Sequence, residues 1–252
     1  MPADSGARNW FDRGGQAYAR FRPQYPTELA RFLAQSSPSR ELALDVGCGS
    51  GQFSTLLADH FDEVIGCDPS AEQIANARAR HGVRYLCSPA EKLPLPDRRA
   101  SLVTAAQAAH WFDLSAFYAE TRRVAREGAL IALVSYGVLR PGAELQSRFD
   151  HFYQEEIGPY WPAERKLVDS GYRDMSFPFT EIEVPVFEIR MSWTLDDFLG
   201  YVSTWSAAQR LREAGDDDVL VAFARDISTL WSAPSTARPM TWPVNMRVGR
   251  LD

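Results

Sequence analysis

Short apolar segments alternate with amphipathic segments along the first half of the chain. The segments that predict strands are 42–46, 63–67, 83–86, 101–106 and 129–135. The segments that predict helices are 52–58, 70–80 and 114–126, the last followed by a C′ residue, Gly128. Alternation at this spacing is typical of a parallel sheet with helices on both faces. We therefore predict an α/β fold that is doubly wound around a mostly parallel sheet.

The second half of the chain has a less regular pattern. Residues 182–190 alternate like a strand, although Pro185 demotes that strand to an edge or a bulge. Two helices are predicted at 193–205 and 216–231, and a last strand at 242–248. We expect the late strands to complete the same sheet and the helices between them to form a lid.

Composition and charge disfavour several classes of partner. The 252 residues carry a net charge of −6, which disfavours nucleic acid, and no apolar segment approaches the length of a membrane span. The N-terminal segment lacks the apolar run of a signal peptide. Cys48, Cys67 and Cys87 stand far apart and form neither a disulfide framework nor a zinc motif, so we expect a cytoplasmic protein and no metal.

A glycine-rich loop, Asp45-Val-Gly-Cys-Gly-Ser-Gly51, joins the first strand to the helix after it. Its third glycine comes one position earlier than in the dinucleotide fingerprint, and no Gly-Lys-Ser/Thr of a P-loop follows. The carboxylate of Asp45 would repel a phosphate but attract an ammonium group. An ordinary strand-to-helix turn is the alternative interpretation of these glycines.

Asp68 ends the second strand, 21 residues after Gly47. A carboxylate at that position can accept both hydroxyls of a ribose, although an Asp-Pro turn is the alternative. Together, the loop and Asp68 indicate a nucleoside with a positively charged tail. This describes S-adenosylmethionine, with its adenosine toward Asp68 and its amino acid end toward Asp45. A nicotinamide dehydrogenase is a further alternative.

The loop and the segment Ile65-Gly-Cys-Asp-Pro-Ser70 resemble two motifs of the class I S-adenosylmethionine-dependent methyltransferases. The segments Gln107-Ala-Ala-His-Trp-Phe112 and Phe11 to Pro26 resemble the branch that includes trans-aconitate methyltransferases. The resemblance implies a seven-stranded Rossmann-like sheet with helical lid insertions in a single domain, 1–252. That domain would comprise a helical cap (1–40), a cofactor-binding core (41–136) and a segment with acceptor-binding insertions and the last strands (137–252).

The resemblance also implies which residues bind the cofactor. It puts adenine near Ala90 and Glu91, because Pro89 replaces the aspartate that many relatives have and cannot bond the adenine amino group. It puts the methionine part beside Gln107, at the end of the fourth strand. Surface roles are the alternatives for Glu91 and for Arg22. The complete predicted set is Tyr18, Arg22, Asp45, Gly47, Cys48, Gly49, Asp68, Pro69, Ala90, Glu91 and Gln107.

His110 is the candidate catalytic residue. Histidine is the natural general base near neutral pH, but a carboxylate acceptor needs no base, and His110 would then only orient it. A structural pairing of His110 with an aromatic side chain is the alternative. The predicted acceptor-binding residues are Trp111, Trp193, Tyr201 and Trp205, of which the last three would alternatively belong to the core.

The resulting functional hypothesis is methyl transfer from S-adenosylmethionine to a small molecule, with S-adenosylhomocysteine as the other product. The acceptor would be an organic acid of the trans-aconitate type, methylated at a carboxylate. Two alternatives stay open, namely methylation of a larger metabolite at oxygen, nitrogen or carbon, and cofactor binding without catalysis. The chain is expected to act without nucleic acid or membrane, as a monomer or homodimer.

Overall fold

The computed structural model describes residues 21–251. Within this range, eight strands form one mixed sheet. Its strands are β1 (Leu42–Val46), β2 (Glu63–Asp68), β3 (Val83–Cys87), β4 (Ala100–Ala106), β5 (Ala125–Tyr136), β6 (Thr180–Glu181), β7 (Phe187–Trp193) and β8 (Arg238–Arg250). Seven strands follow the order β3-β2-β1-β4-β5-β8-β6, and β7 pairs with β8 beside that path. Strands β1 to β5 pair in parallel, whereas β8 is antiparallel to β5 and β6. The predicted doubly wound, mostly parallel α/β sheet is confirmed.

The helices lie between and after these strands. They are α1 (Thr27–Ser36), α2 (Gln52–Leu57), α3 (Ala71–Ala75), α4 (Leu114–Val124), α5 (Ala143–His151), α6 (Arg165–Asp169), α7 (Leu195–Ser203), α8 (Ser206–Glu213) and α9 (Asp217–Trp231). A π-helical turn, Phe152–Glu156, follows α5, and single 3₁₀ turns occur at Ala109–Trp111 and Gly158–Tyr160. None of the helices within residues 21–251 combines the length and the apolar character needed to cross a bilayer.

Both faces of the sheet are covered, which explains why its strands are almost continuously apolar. In β1, the side chains of Leu44 and Val46 belong to the core on one face, and that of Ala43 to the core on the other. In β5, the side chain of Ile131 belongs to the same core as Leu44, and that of Leu130 to the same core as Ala43. Because successive side chains of a strand point to opposite faces, every position of such a strand is buried.

The chain divides into two compact units. Of the described residues, 24–138, 164–189 and 243–251 form the first, which we call the sheet unit. Residues 21–23, 139–163 and 190–242 form the second, which we call the helical unit. The segment 137–252, for which the sequence predicts insertions and last strands, thus contributes to both units.

Several predicted element boundaries are wrong; for example, Trp193, predicted to begin a helix, ends β7. The helix 114–126 ends at Val124, because Ala125 already pairs with Ala100 across a bulge, and Gly128 therefore lies inside β5. The helix predicted at 70–80 spans Ala71–Ala75. Its start is as predicted, since the Ser70 hydroxyl accepts a hydrogen bond from the backbone N–H of Gln73.

The early end of α3 has one local cause and one in the glycine loop. The side chain of Asn76 donates to the carbonyl of Glu72, and the N–H of Arg78 donates to the carbonyl of Ser50, so the chain turns back toward the glycine loop. The strand predicted at 182–190 is replaced by β6 and β7, which end and begin on either side of Pro185. Proline has no N–H for a ladder hydrogen bond, and this accounts for the interruption.

Candidate functional site

The glycine loop follows β1 directly and bends at three glycines. Gly47, Gly49 and Gly51 have φ angles of +68°, +53° and +78°. The backbone N–H groups of Gly47 and Cys48 both donate to the carbonyl of Cys67 at the end of β2, at 2.8 and 3.0 Å. These bonds hold the first turn of the loop against the neighbouring strand.

Two of the glycines are required by close contacts as well as by conformation. A Cβ at Gly47 would lie 2.4 Å from the Cβ of Ala108, and a Cβ at Gly51 would lie 2.0 Å from the hydroxyl of Tyr85. At Gly49 the nearest atom to such a Cβ is 3.9 Å away, an ordinary contact distance, so the backbone there is not closely packed. The loop is therefore packed at its two ends and accessible in its middle.

Asp45 lies beneath this loop and is fully buried. Its two carboxylate oxygens accept hydrogen bonds from the hydroxyls of Ser54 on α2, at 2.6 Å, and Thr104 on β4, at 3.0 Å. Burial raises the pKa of Asp45 to about 6, against the opposing effect of both hydroxyls. The side chain thus joins β1, α2 and β4 and is mostly ionised at neutral pH. Its contact with a ligand ammonium group stays a prediction.

Asp68 connects the end of β2 to the open part of the loop. Its Oδ2 accepts a hydrogen bond from the N–H of Gly49, and its Oδ1 accepts one from the N–H of Ser70, both at 2.9 Å. A carboxylate has about four acceptor positions, so these two bonds leave capacity for the two hydroxyls of a ribose. Pro69 follows at once and ends the strand.

The loop after β3 is fastened to Asp68 and to the start of α4. The N–H of Ser88 donates to the carbonyl of Asp68 at 3.0 Å. Ala90 is buried, and the Glu91 carboxylate accepts a hydrogen bond from the N–H of Asp113 at 2.9 Å. The structure therefore gives Glu91 a role in holding this loop, while the predicted contacts of Ala90 and Glu91 with adenine stay predictions.

Gln107 lies in the turn after β4 and has a backbone conformation that residues other than glycine rarely adopt. Its φ angle is +54°, its N–H donates to the carbonyl of Val134, and its side-chain amide donates to the carbonyl of Tyr136. These two bonds to β5 fix the residue at the carboxyl end of the sheet, where the sequence predicts it.

His110 lies on the 3₁₀ turn after β4, and its Nδ1 is 2.9 Å from the hydroxyl of Tyr172. Burial lowers the pKa of His110 to about 4, and the positive charge of Arg165 acts in the same direction. The imidazole is therefore neutral over the physiological pH range. Tyr172 is 62 residues away in sequence and was not a candidate, because nothing in the residues around it indicates this contact.

Trp111 is next to His110 and is the most exposed tryptophan of the site. Its side chain is 63% exposed, and its ring centroid lies 4.8 Å from that of His110. The pair presents a neutral imidazole beside an accessible aromatic face. That position agrees with the predicted contact of Trp111 with an acceptor, which stays a prediction.

The other predicted acceptor-binding residues belong to the helical unit. Trp193, Tyr201 and Trp205 are 5–7% exposed. The Tyr201 ring packs edge-on against Trp205, and its hydroxyl accepts a hydrogen bond from the indole N–H of Trp242. Their packing is that of an aromatic core, the alternative that the sequence leaves open. Arg22 also belongs to the helical unit, and Tyr18 lies outside the described residues.

Two of the three cysteines near the strand ends, Cys48 and Cys67, are buried and unreactive. Burial raises the pKa of Cys67 to about 12 and that of Cys48 above the usual thiol range. Cys87 is exposed. Thiolates, the form that reacts and binds metals, are therefore disfavoured at Cys48 and Cys67. The described part of the chain also has no cluster of three histidine, cysteine or acidic side chains that could hold a metal ion.

Tyr85 is a further residue that sequence analysis missed. It pairs with Gly66 across β2 and β3, and its hydroxyl donates to the carbonyl of Arg78. A Cβ at Gly66 would lie 2.7 Å from its ring, so the aromatic side chain covers two glycines, Gly51 and Gly66. The sequence does contain a signal for this contact, namely a glycine in the second predicted strand opposite an aromatic residue in the third.

Comparisons with known proteins agree on one family. The family described as "Methyltransferase domain" matches residues 44–133. A protein of Dictyostelium discoideum, whose name describes it as a candidate methyltransferase, is 39% identical over 81% of this chain and 80% of its own length. A solved structure from Anaeromyxobacter dehalogenans, described as a candidate type II methyltransferase, is 44% identical with a TM-score of 0.87 and covers 92% of this chain and 98% of its own.

A third relative has a more specific name. The malonyl-[acyl-carrier protein] O-methyltransferase of Pectobacterium atrosepticum is 35% identical over 50% of this chain and 51% of its own length. This chain therefore spans about half of that relative.

Proposed function

The chain belongs to the class I S-adenosylmethionine-dependent methyltransferases, and we propose that it methylates a carboxylate of a small organic acid. The observation that carries the cofactor assignment on which this proposal depends is the arrangement of Asp68. Its carboxylate receives the N–H of Gly49 from one strand end and the N–H of Ser70 from its own, while its carbonyl receives the N–H of Ser88 from a third. Three loops thus meet at one residue, Asp68, through its carboxylate and its backbone carbonyl.

The residues present fit the cofactor of this family. No atom is close enough to clash with a Cβ at Gly49, and Asp45 and Asp68 make the loop unfavourable for phosphate and favourable for a cation. We assign the ribose to Asp68, the amino end to Asp45, adenine to Ala90 and Glu91, and the methionine part to Gln107. The contacts of Tyr18 and Arg22 with the cofactor stay predictions from the sequence. When bound, S-adenosylmethionine supplies an electrophilic methyl group on a positively charged sulfur.

The contribution of the chain to catalysis is mainly orientation. Displacement at a methyl carbon requires the attacking atom, the carbon and the sulfur to lie in line, and correct positioning is worth about 7–11 kcal/mol. We assign His110 and Trp111 to the acceptor side, because they lie on the turn that follows Gln107. The contacts of Trp193, Tyr201 and Trp205 with an acceptor stay predictions from the sequence.

Two observations favour a carboxylate as the acceptor. His110 is neutral and has a low pKa, which makes it a weak base, and a carboxylate has no proton to lose. The name of the Pectobacterium atrosepticum relative specifies methylation of an oxygen of a malonyl group, and the free carboxylate is the natural nucleophile of that group.

The test is transfer of a labelled methyl group to a panel of mono-, di- and tricarboxylic acids, each matched with its amide. We expect labelled ester from at least one acid and none from its amide. Asp68→Asn should weaken the binding of S-adenosylhomocysteine in calorimetry by about 10- to 100-fold, the value of hydrogen bonds to a charged group. Asp97→Asn, which removes a 72% exposed carboxylate paired with Arg123, is the matched control and should leave the affinity unchanged.

Two results would contradict the proposal. Equal affinity of the wild type and Asp68→Asn would remove the ribose assignment. Cofactor binding without transfer to any carboxylic acid would leave the alternatives of another acceptor atom or of a binding protein without catalysis.

A further inference from the structure

The contact between Tyr172 and His110 determines where the imidazole proton resides. Tyr172 is fully buried, and its hydroxyl has one hydrogen-bond partner among residues 21–251, which is Nδ1 of His110. Burial also raises the pKa of Tyr172, so that its hydroxyl keeps its proton. A buried O–H donor without an acceptor is costly, and Nδ1 is the acceptor at hand. The hydroxyl therefore donates to Nδ1.

This assignment fixes the other ring nitrogen. A neutral imidazole has one donor and one acceptor nitrogen, so an accepting Nδ1 requires a proton on Nε2. Within the described part of the chain, Nε2 has no hydrogen-bond partner, and it is not among the buried side-chain atoms that lack one. A donor N–H on a neutral ring is thus accessible from the solvent side of the site.

We propose that Tyr172 is a positioning residue that holds His110 with its proton on Nε2, so that His110 donates a hydrogen bond to the acceptor and takes no proton from it. This inference rests on the proposed function and specifies the acceptor chemistry. The carboxylate oxygen forms a bond to the methyl carbon while the carbon–sulfur bond breaks and its electron pair stays on sulfur. No proton leaves the acceptor, so no base is needed.

Tyr172 is held rigidly enough for this role. Its φ angle is +62°, and its N–H donates to the carbonyl of Leu167 at 2.8 Å. Its own carbonyl accepts a hydrogen bond from Arg247, whose guanidinium also bonds the carbonyl of Met175 at 2.7 Å. The carboxylate of Glu181 forms an ion pair with Arg247 and keeps that guanidinium in place. Hydrogen bonds to both the N–H and the carbonyl of Tyr172 therefore fix the backbone that carries the hydroxyl.

The charges around His110 favour the same state. Arg165 opposes protonation of the ring, and Glu164 partly offsets that effect. A neutral ring avoids placing a second positive charge beside Arg165. An anionic acceptor at Nε2 would meet a hydrogen-bond donor and a nearby cation, the combination that suits a carboxylate.

The tautomer is tested by long-range ¹H–¹⁵N correlation spectra of the full chain labelled at histidine. His110→Gln identifies the His110 signals by their disappearance. We expect a protonated Nε2 and an unprotonated Nδ1 near pH 7, and a mixture of both tautomers in Tyr172→Phe. Tyr118→Phe is the matched control, since that buried hydroxyl donates to the carbonyl of Ser176, and it should leave the His110 tautomer unchanged. A proton on Nδ1 in the wild type would overturn the proposal.

Kinetics with a carboxylic acid acceptor tests the role. Glutamine keeps an N–H donor near the position of Nε2 but has no basic nitrogen. We expect His110→Ala to lower kcat by about 10- to 100-fold, the loss of one hydrogen bond to a charged group, and His110→Gln to recover most of it. If both variants lost about 10²- to 10⁴-fold, His110 would be a general base and the proposal would be wrong.

The two experiments separate this inference from the proposed function. The spectra need neither cofactor nor turnover, so they decide the tautomer even if no carboxylic acid is methylated. Conversely, the expected tautomer in a protein without methyltransferase activity would leave the proton assignment intact and remove the function that it serves.

Discussion

Asp45 and Asp68 lie at neighbouring strand ends but have different environments. Asp45 is fully buried between two hydroxyl groups, whereas Asp68 is partly exposed and bonded by backbone N–H groups. Burial shifts the pKa of Asp45 into a range where its charge changes near pH 6. The residue that the sequence assigns to the amino end of the ligand is therefore a titrating one.

Cofactor affinity should consequently depend on pH through Asp45. At pH 5, one unit below its pKa, about a tenth of the Asp45 carboxyl groups are ionised. The attraction for the ammonium group of S-adenosylhomocysteine should then be lost, and the affinity should fall about tenfold between pH 7 and pH 5. Calorimetry over this range measures the effect, and Asp45→Asn should bind weakly at both values.

Protonation of Asp45 should weaken ligand binding but stabilise the folded state, and this difference provides the control. Because the pKa of Asp45 is raised in the folded state, its neutral form favours folding, and this contribution is lost as the pH rises from about 4 to about 6. Loss of ligand affinity at pH 5 therefore does not come from unfolding at Asp45. The pKa of His110 is lowered in the folded state, so this residue destabilises the fold as the pH falls. Thermal unfolding should therefore be measured at each pH at which the calorimetry is done. A pH-independent affinity would contradict the assignment of Asp45.

At the scale of elements, the turn from β1 into α2 depends on glycine for two separable reasons. Gly47 combines a φ angle of +68° with a contact that a Cβ would make at 2.4 Å to Ala108. Gly128 has a nearly equal φ angle of +70° and no neighbour within 4 Å of such a Cβ. The two positions therefore separate the conformational cost from the steric one.

Alanine substitutions measure both costs. Gly128→Ala should lower the free energy of unfolding by about 1–2 kcal/mol, the cost of a left-handed conformation with a Cβ. Gly47→Ala should lower it by a further 1–3 kcal/mol or so, because the extra carbon forces the loop away from Ala108. Denaturant unfolding monitored by circular dichroism gives the values. Equal losses would mean that the loop moves freely and is not packed as described.

The elements themselves were largely predictable, and their ends were less so. The buried strands β1, β2, β4 and β5 are apolar runs bounded by glycine or polar residues, and these runs predict their positions. The end of α4 at Val124 depends on the pairing of Ala125 with Ala100, and the end of α3 depends on a bond from Arg78 to Ser50. Such contacts join distant segments, and a local pattern does not indicate them.

The same limit applies within the site. Asp68 and the glycines were predictable because each sits at a strand end with a characteristic neighbour. Tyr172 was not, since it reaches His110 from a segment that returns to the sheet unit after the helical insertion. The role of His110 thus depends on a tertiary contact, and sequence reasoning alone leaves both of its possible roles open.

At the scale of the whole molecule, strand order explains why the loops after β1, β2, β3 and β4 share one edge. These four strands are neighbours and run in parallel, so their carboxyl ends point the same way. Ligands of such sheets bind beyond that edge. Family membership and the geometry of the loops therefore lead to the same place for the cofactor, although fold alone does not identify the acceptor.

A crystal structure of the protein with S-adenosylhomocysteine tests this account most directly. We predict a nucleoside against the glycine loop, both ribose hydroxyls on the Asp68 carboxylate, and the amino end of the ligand on the side of Asp45. A pyrophosphate-type ligand preferred at the loop, or a nucleoside bound away from Asp68, would contradict it.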